Sequence, residues 1–93
     1  MAEVQTQDQS GEMTSRFIQF IMLQAQQTKL CLGILPHPAT GKPEPNMAAA
    51  KMFVEHLEMI EAKTRGNLSQ EETQILSNAL TELHIAHTRI QAG

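Results

Sequence analysis

The chain has 93 residues, enough for one small domain, and a formal net charge of −3. The acidic excess lies in residues 1–12, because residues 13–93 carry seven basic and seven acidic side chains. This balance lacks the basic patch that is typical of nucleic-acid-binding proteins, so we expect no nucleic-acid partner. The single cysteine, Cys31, cannot form an internal disulfide, which is typical of a reducing compartment.

The N-terminal residues are polar and acidic, and they lack the basic and apolar regions of a signal peptide. The longest apolar stretch, Phe17 to Leu23, is interrupted by Gln19 and is far shorter than the roughly 20 residues of a membrane-spanning helix. We therefore expect a cytoplasmic protein without a membrane partner.

Residues 1–12 are predicted to form a mobile, disordered tail, because they are polar and contain Gly11. The first helix is predicted over residues 14–32, ending before Gly33. Its apolar stripe is broad, which predicts that the helix is covered from more than one direction. The stripe follows helical spacing through Phe17, Ile21, Ala25, Thr28 and Leu32.

Residues 33–46 contain four prolines and two glycines, so they are predicted to be an extended connection with a turn near Thr40-Gly41. Asn46 is a good N-cap for a second helix over residues 47–65. A third helix is predicted over residues 70–91. Its seam has spacings of three and four residues, through Leu76, Ala79, Leu83, Ala86 and Ile90.

The second and third helices are separated by only a few residues, and these residues carry strong helix-stop and helix-start signals. Gly66 can adopt the left-handed conformation that ends a helix, and Ser69 with Glu72 fits a capping box. Lys63 and Arg65 place positive charge at the negative end of the helix dipole. The pattern predicts an all-α, three-helix chain whose helices 2 and 3 form an antiparallel hairpin.

The string from Lys63 to Glu72, KTRGNLSQEE, resembles the signature KTKGNL-x-x-EE of a bacterial family of short, uncharacterised proteins. Leu32-Gly33, Pro38 and Thr40-Gly41 resemble the connection of the same family, and the resemblance covers roughly residues 17–87. The family is classed as a domain of unknown function. The resemblance therefore implies a small helical protein and no particular activity. Family members often carry Leu-Arg and then an aromatic late in helix 3, where this chain has Leu83-His84 and His87.

Three groups of residues could bind a metal, act as a nucleophile or bind an anion, and each also has a structural interpretation. His84 and His87 could begin a metal site with Glu82 and Cys31, but only the two histidines are close in sequence, so we expect no metal or other cofactor. Cys31 lies among leucines near the end of its helix, which favours a buried structural thiol over a nucleophile. An anion site could be formed by Lys63, Arg65 and Asn67, yet Ser69 and Glu72 are expected to occupy the nearby N–H groups. We therefore predict that these six residues form a structural corner: Lys63, Arg65, Gly66, Asn67, Ser69 and Glu72.

A hairpin can cover one stripe of the first helix, so the rest of its apolar surface is expected to require a further partner. We expect a non-catalytic structural or interaction module that self-associates, with a homodimer favoured and an unidentified protein partner as an open possibility. The alternative is a carrier of a small apolar ligand, with a pocket between helices 1 and 2. The predicted interface residues are Phe17, Phe20, Leu23, Met52 and Met59.

Overall fold

The computed structural model describes residues 2–92, with side chains for residues 11–90, and that range contains three helices and no strand. Helix α1 spans Ala2–Leu32, α2 spans Met47–Thr64 and α3 spans Gln70–Ala92. Helices α2 and α3 form an antiparallel hairpin, and α1 packs against both. The predicted all-α fold is confirmed, and α2 and α3 lie within one residue of their predicted bounds.

Helix α1 begins at Ala2, twelve residues earlier than predicted, so residues 2–12 are helical where the sequence suggested a mobile tail. The prediction took polarity as a sign of disorder. Apart from Gly11, however, the segment holds no strong helix breaker, and Gln, Glu and Ala are good helix formers. A glycine lowers helix stability by only about 1 kcal/mol, and an existing helix extends more easily than a new one nucleates. Met1 lies outside the described residues.

The core lies where all three helices meet, and it consists of aliphatic side chains. The predicted stripe of α1 provides the fully buried Ile21 and Thr28, whose hydroxyl donates to the Gln24 carbonyl oxygen at 2.8 Å. Phe17 and Ala25 are partly buried against the same cluster. The broad stripe of α1 is therefore covered from two directions, as predicted. The buried apolar residues are Ile21, Leu32, Ala50, Val54, Leu57, Leu76, Leu80 and Leu83.

The predicted seam of α3 is buried along most of its length but not at its end. Leu76 and Leu83 are buried, whereas Ile90 is 38% exposed. Helix α3 has 23 residues and α2 has 18. At 1.5 Å per residue α3 is therefore about 7 Å longer than its hairpin partner. The last turn of α3 consequently extends beyond the start of α2.

The end of α1 is a Schellman motif centred on Gly33. The Gly33 N–H donates to the Leu30 carbonyl at 3.1 Å, and the Ile34 N–H donates to the Lys29 carbonyl at 3.0 Å. Gly33 has φ of +79°, and a Cβ on this residue would lie 3.2 Å from the Cβ of Pro45. The conformation and the close approach of Pro45 both favour glycine here.

The connection of residues 33–46 contains no helix or strand, and its turn lies where the sequence predicts it. The His37 carbonyl accepts hydrogen bonds from the N–H groups of Thr40 and Gly41, and Gly41 has φ of +71°. At its end, the Asn46 N–H donates to the Cys31 carbonyl at 2.6 Å, while the Asn46 side chain accepts from the Ala49 N–H at 3.1 Å. Asn46 thus caps α2 and attaches its start to the end of α1.

The corner between α2 and α3 begins with a type II turn rather than a left-handed helix cap. Arg65 has φ −55° and ψ 127°, Gly66 has φ +85°, and the Asn67 N–H donates to the Thr64 carbonyl at 2.8 Å. The positive φ predicted for Gly66 is confirmed, although its role is the third position of this turn. A Cβ on Gly66 would meet no atom within 4 Å, so the requirement for glycine is conformational only.

The capping box at the start of α3 is present as predicted. The Glu72 N–H donates to the Ser69 hydroxyl at 3.1 Å, and the Ser69 N–H donates to the Glu72 carboxylate at 2.7 Å. The pKa of Glu72 is lowered from its ordinary value, chiefly by the backbone hydrogen bond from Ser69 and further by hydrogen bonds from the Thr14 and Ser69 side chains, while burial opposes the shift.

Gly33 and Gly66 both have positive φ but differ in their surroundings, so substitution by alanine should lower the stability of the fold by different amounts. Gly66→Ala should lower the free energy of unfolding by about 1 kcal/mol, because an L-residue is disfavoured at positive φ but nothing obstructs the new Cβ. Gly33→Ala should lower it further, because its Cβ also encounters Pro45. Chemical denaturation of both variants measures the difference, and equal losses would contradict the role assigned to Pro45.

The capping box predicts that Ser69→Ala lowers the free energy of unfolding by about 0.5–2 kcal/mol, because the Glu72 N–H loses its acceptor. Ser77→Ala is a suitable control, since Ser77 is exposed within α3. Urea denaturation at pH 7 compares the two variants. Similar midpoints for both would show that Ser69 does not act as a cap.

The lowered pKa of Glu72 predicts a pH dependence with a definite sign. The ionised carboxylate is favoured in the folded state, so its stabilisation is present above the ordinary glutamate pKa of about 4.3 and is lost as the pH falls through the lower pKa of the folded state. Glu72→Gln keeps an acceptor for Ser69 but removes the charge. The difference in unfolding free energy between the original chain and Glu72→Gln should therefore narrow below about pH 4. A constant difference from pH 7 to pH 2.5 would contradict this.

Candidate functional site

The corner residues are brought together in space, and their hydrogen bonds are those of a structural element. The N–H groups of Asn67, Ser69 and Glu72 each donate within the corner, as the capping prediction requires. Lys63 lies in the last turn of α2, where its charge favours the helix dipole, and Arg65 follows that turn. The side chains of Lys63, Arg65 and Asn67 are exposed. At this end of α3, the N–H groups of Ser69 and Glu72 thus already have acceptors.

A cleft of about 720 Å³ lies beside the corner, between the start of α3 and the facing turns of α1. Its lining groups are hydroxyls, amides and one carboxylate, that of Glu71, and the Ser69 hydroxyl already accepts a hydrogen bond from the Glu72 N–H. A nucleophile is activated by a neighbouring base, and the lining contains no histidine or lysine. The lining residues are Gly11, Thr14, Ser69, Gln70, Glu71 and Gln74.

The more apolar feature of the described surface is a groove of about 660 Å³ between α1 and α3. Ile21, which is fully buried, forms its floor, and the small side chains of Ala25 on α1 and Ala79 on α3 leave the space above it open. Met22 and Leu23 also line the groove, and they are 61% and 52% exposed. We refer to this feature as the α1–α3 groove. Its other lining residues are Gln19, Gln26, Lys29, Leu35, Ile75 and Glu82.

The charges of the α1–α3 groove belong to one ion pair. The Lys29 ammonium on α1 contacts the Glu82 carboxylate on α3. About a third of the Lys29 side chain and more than half of the Glu82 side chain are exposed, so solvent screens the pair and its effect on stability is small. The groove is thus apolar in its centre and carries one positive and one negative group on opposite walls.

The five predicted interface residues differ in exposure. Phe17 is partly buried against the core, whereas Phe20, Met52 and Met59 are 45%, 44% and 52% exposed. Leu23 is 52% exposed and lines the α1–α3 groove. That these residues form an interface stays a prediction.

Sequence reasoning did not single out the α1–α3 groove. Ala25 and Ala79 belong to the predicted stripe of the first helix and the predicted seam of the third. The signal that could have indicated the groove was a small residue in each of the two rows, Ala25 and Ala79. Protein interiors are close-packed, so two small residues that line the same place leave a space. That signal becomes useful only once α1 and α3 are known to be neighbours.

The two histidines of α3 lie in different surroundings. The His84 Nε2 lies 2.9 Å from a Glu58 carboxylate oxygen on α2, and both side chains are about half exposed. The His87 Nε2 is buried without a hydrogen-bond partner. Cys31 lies near the end of α1 and is partly buried. Within the part of the chain that the structure describes, no three His, Cys, Asp or Glu side chains converge as a metal site would require.

Over the described residues, each helix is either too short or too polar to cross a bilayer.

The chain matches a known protein family over most of its length. The family described as "Domain of unknown function (DUF1844)" matches residues 14–89, which is most of the chain and includes the KTRGNLSQEE string. No curated protein and no solved structure matches the chain significantly. The resemblance suggested by the corner and the connection is thus confirmed, and the chain belongs to the DUF1844 family.

Proposed function

We propose that this protein is a small, non-catalytic interaction module that acts through self-association, most simply as a homodimer. The observation that carries the proposal is the distribution of apolar side chains. Among the described residues, nine large apolar side chains are 38–62% exposed, compared with eight buried apolar residues in the core. The exposed set is Met13, Phe20, Met22, Leu23, Ile34, Met52, Met59, Ile85 and Ile90.

Single exposed apolar residues are common on soluble proteins, but contiguous ones mark interaction surfaces. Met22 and Leu23 are adjacent and lie beside an apolar groove, so they extend an apolar surface rather than interrupt a polar one. Four of the nine exposed residues are methionines, whose flexible side chains adapt to an opposing surface. A second subunit would also supply the apolar burial that a chain of this size lacks on its own.

Charge and compartment are consistent with this proposal. Residues 13–93 carry equal numbers of acidic and basic groups, so two copies would meet without net repulsion between these parts of the chain. We place the protein in the cytoplasm, where its single Cys31 would stay reduced.

The proposal predicts that the purified chain has about twice the 10.3 kDa mass of one chain at micromolar concentration. Size-exclusion chromatography coupled to light scattering measures this mass directly. The apparent mass should fall upon dilution if the dimer is reversible. A mass of one chain from micromolar to millimolar concentration would contradict the proposal.

A second candidate function is favoured by the α1–α3 groove, whose volume of about 660 Å³ is large enough for a small apolar ligand. The sequence suggested such a pocket between helices 1 and 2, whereas the groove lies between α1 and α3. Native mass spectrometry of the protein purified from its host distinguishes the two functions. A ligand-carrying monomer would favour the carrier, and a dimer without added mass would favour self-association.

A further inference from the structure

We propose that a pocket at the corner between α2 and α3 binds a free α-amino acid, with Glu61 holding the ammonium group of the ligand and Arg65 its carboxylate. The pocket has a volume of about 200 Å³ and is lined by the end of α2, the corner and the start of α3. This site is separate from the α1–α3 groove, and it does not depend on self-association. We refer to it as the corner pocket, and its lining includes Glu61, Thr64, Arg65, Leu68, Thr73 and Leu76.

The lining of the corner pocket carries one carboxylate and one guanidinium that are not paired with each other. Glu61 and Arg65 are four residues apart, a spacing at which opposite charges on a continuous helix can pair. Helix α2 ends at Thr64, however, and Arg65 has ψ of 127°, so the chain turns away from the helix at this point. The ion pairs of the described residues all lie elsewhere in the fold. Both charges are thus available to a bound molecule.

The surroundings of the two charges favour an ionic ligand. Glu61 is only partly exposed, Leu76 is 1% exposed, and Leu68 is partly buried against the core. Opposite charges attract more strongly beside such apolar groups than in bulk water, because the effective dielectric constant is lower. A partly desolvated carboxylate without a counter-charge is also unfavourable. An ammonium group placed beside Glu61 would remove that cost and gain the stronger attraction.

The hydrogen-bonding groups of the corner pocket match the two ends of an amino acid. The Thr64 hydroxyl donates to the Ile60 carbonyl oxygen at 2.6 Å, so it has only acceptor capacity left for a ligand. An ammonium group has donors and no acceptor, so it suits the oxygens of Thr64 and Glu61. The planar guanidinium of Arg65 can donate two parallel hydrogen bonds to a carboxylate, and the exposed Thr73 hydroxyl can donate to the same group.

The size of the corner pocket limits the ligand to a small molecule. A water molecule occupies about 30 Å³ in the liquid, so 200 Å³ corresponds to roughly seven waters. L-Valine, with about eight non-hydrogen atoms, is of similar size, whereas a dipeptide is larger. Residues four apart are separated by about 6 Å along a helix, a span that one molecule with both charges can bridge. The apolar side chain of such a molecule would lie against Leu68 and Leu76.

The first test titrates the full chain with L-valine and with two derivatives that each lack one charge. Proton–nitrogen correlation NMR spectra should show saturable changes at the amides of residues 61–76. N-Acetyl-L-valine lacks the ammonium group and L-valinamide lacks the carboxylate, so each should bind about tenfold or more weakly than L-valine. The other standard L-amino acids, added one at a time, identify the preferred side chain. Equal affinity for L-valine and either derivative would overturn the assignment of the two charges.

The second test uses matched variants. Glu61→Gln and Arg65→Gln each remove one charge from the corner pocket, whereas Glu55→Gln and Arg89→Gln make the same changes at exposed positions that do not line it. Each pocket variant should raise the dissociation constant of L-valine by about tenfold or more, and each control should change it by less than about twofold. Circular dichroism and urea denaturation check that all four variants fold like the original chain.

A double comparison separates direct binding from an indirect effect on the fold. In Arg65→Gln, L-valine and L-valinamide should bind with similar affinity, because the carboxylate has lost its partner. In Glu61→Gln, the same should hold for L-valine and N-acetyl-L-valine. A variant that weakens L-valine and its derivative by the same factor would show that the residue does not contact that end of the ligand, and would overturn its assignment.

The remaining outcomes also decide the proposal. An absence of saturable binding for every standard L-amino acid at about 10 mM would overturn it. Spectral changes confined to the lining of the α1–α3 groove would overturn it as well. A monomeric chain that binds L-valine in the corner pocket would contradict self-association and support this site, whereas a dimer that binds no amino acid would do the reverse.

Discussion

The fold depends on one cluster of aliphatic side chains to which all three helices contribute. Ile21 from α1, Leu57 from α2 and Leu83 from α3 are fully buried in it. Because so few residues carry the hydrophobic stabilisation, the helices must be held in register by other means. The backbone therefore matters where one helix ends and the next begins, and the two connections use distinct hydrogen-bonded motifs to fix the relative positions of the helices.

These motifs share the task of joining helices with little chain. Gly33 ends α1 in a Schellman motif that packs against Pro45, and Asn46 returns the chain to the end of α1 before starting α2. At the other end, a type II turn at Gly66 leads directly into the Ser69–Glu72 capping box. The start of α2 is thereby attached to the end of α1, and the corner is closed by its own hydrogen bonds.

Because the core is small, several large apolar side chains remain on the surface. Helix α1 packs against two helices but still exposes Phe20, Met22 and Leu23. The small side chains of Ala25 and Ala79 line the α1–α3 groove.

The sequence by itself determined the helices, the tight corner and the buried rows, because these follow from local signals: glycine at positive φ, capping side chains, and apolar periodicity at Ile21, Leu57 and Leu83. It did not determine where α1 begins, since the polarity of residues 2–12 does not distinguish a solvated helix from a tail. Nor did it determine the surface: Phe17, Phe20 and Leu23 are neighbours in sequence, yet they occupy three different environments. Only the tertiary structure decided that Ala25 and Ala79 line the same groove, because a groove is formed by two helices at once and neither helix encodes it alone.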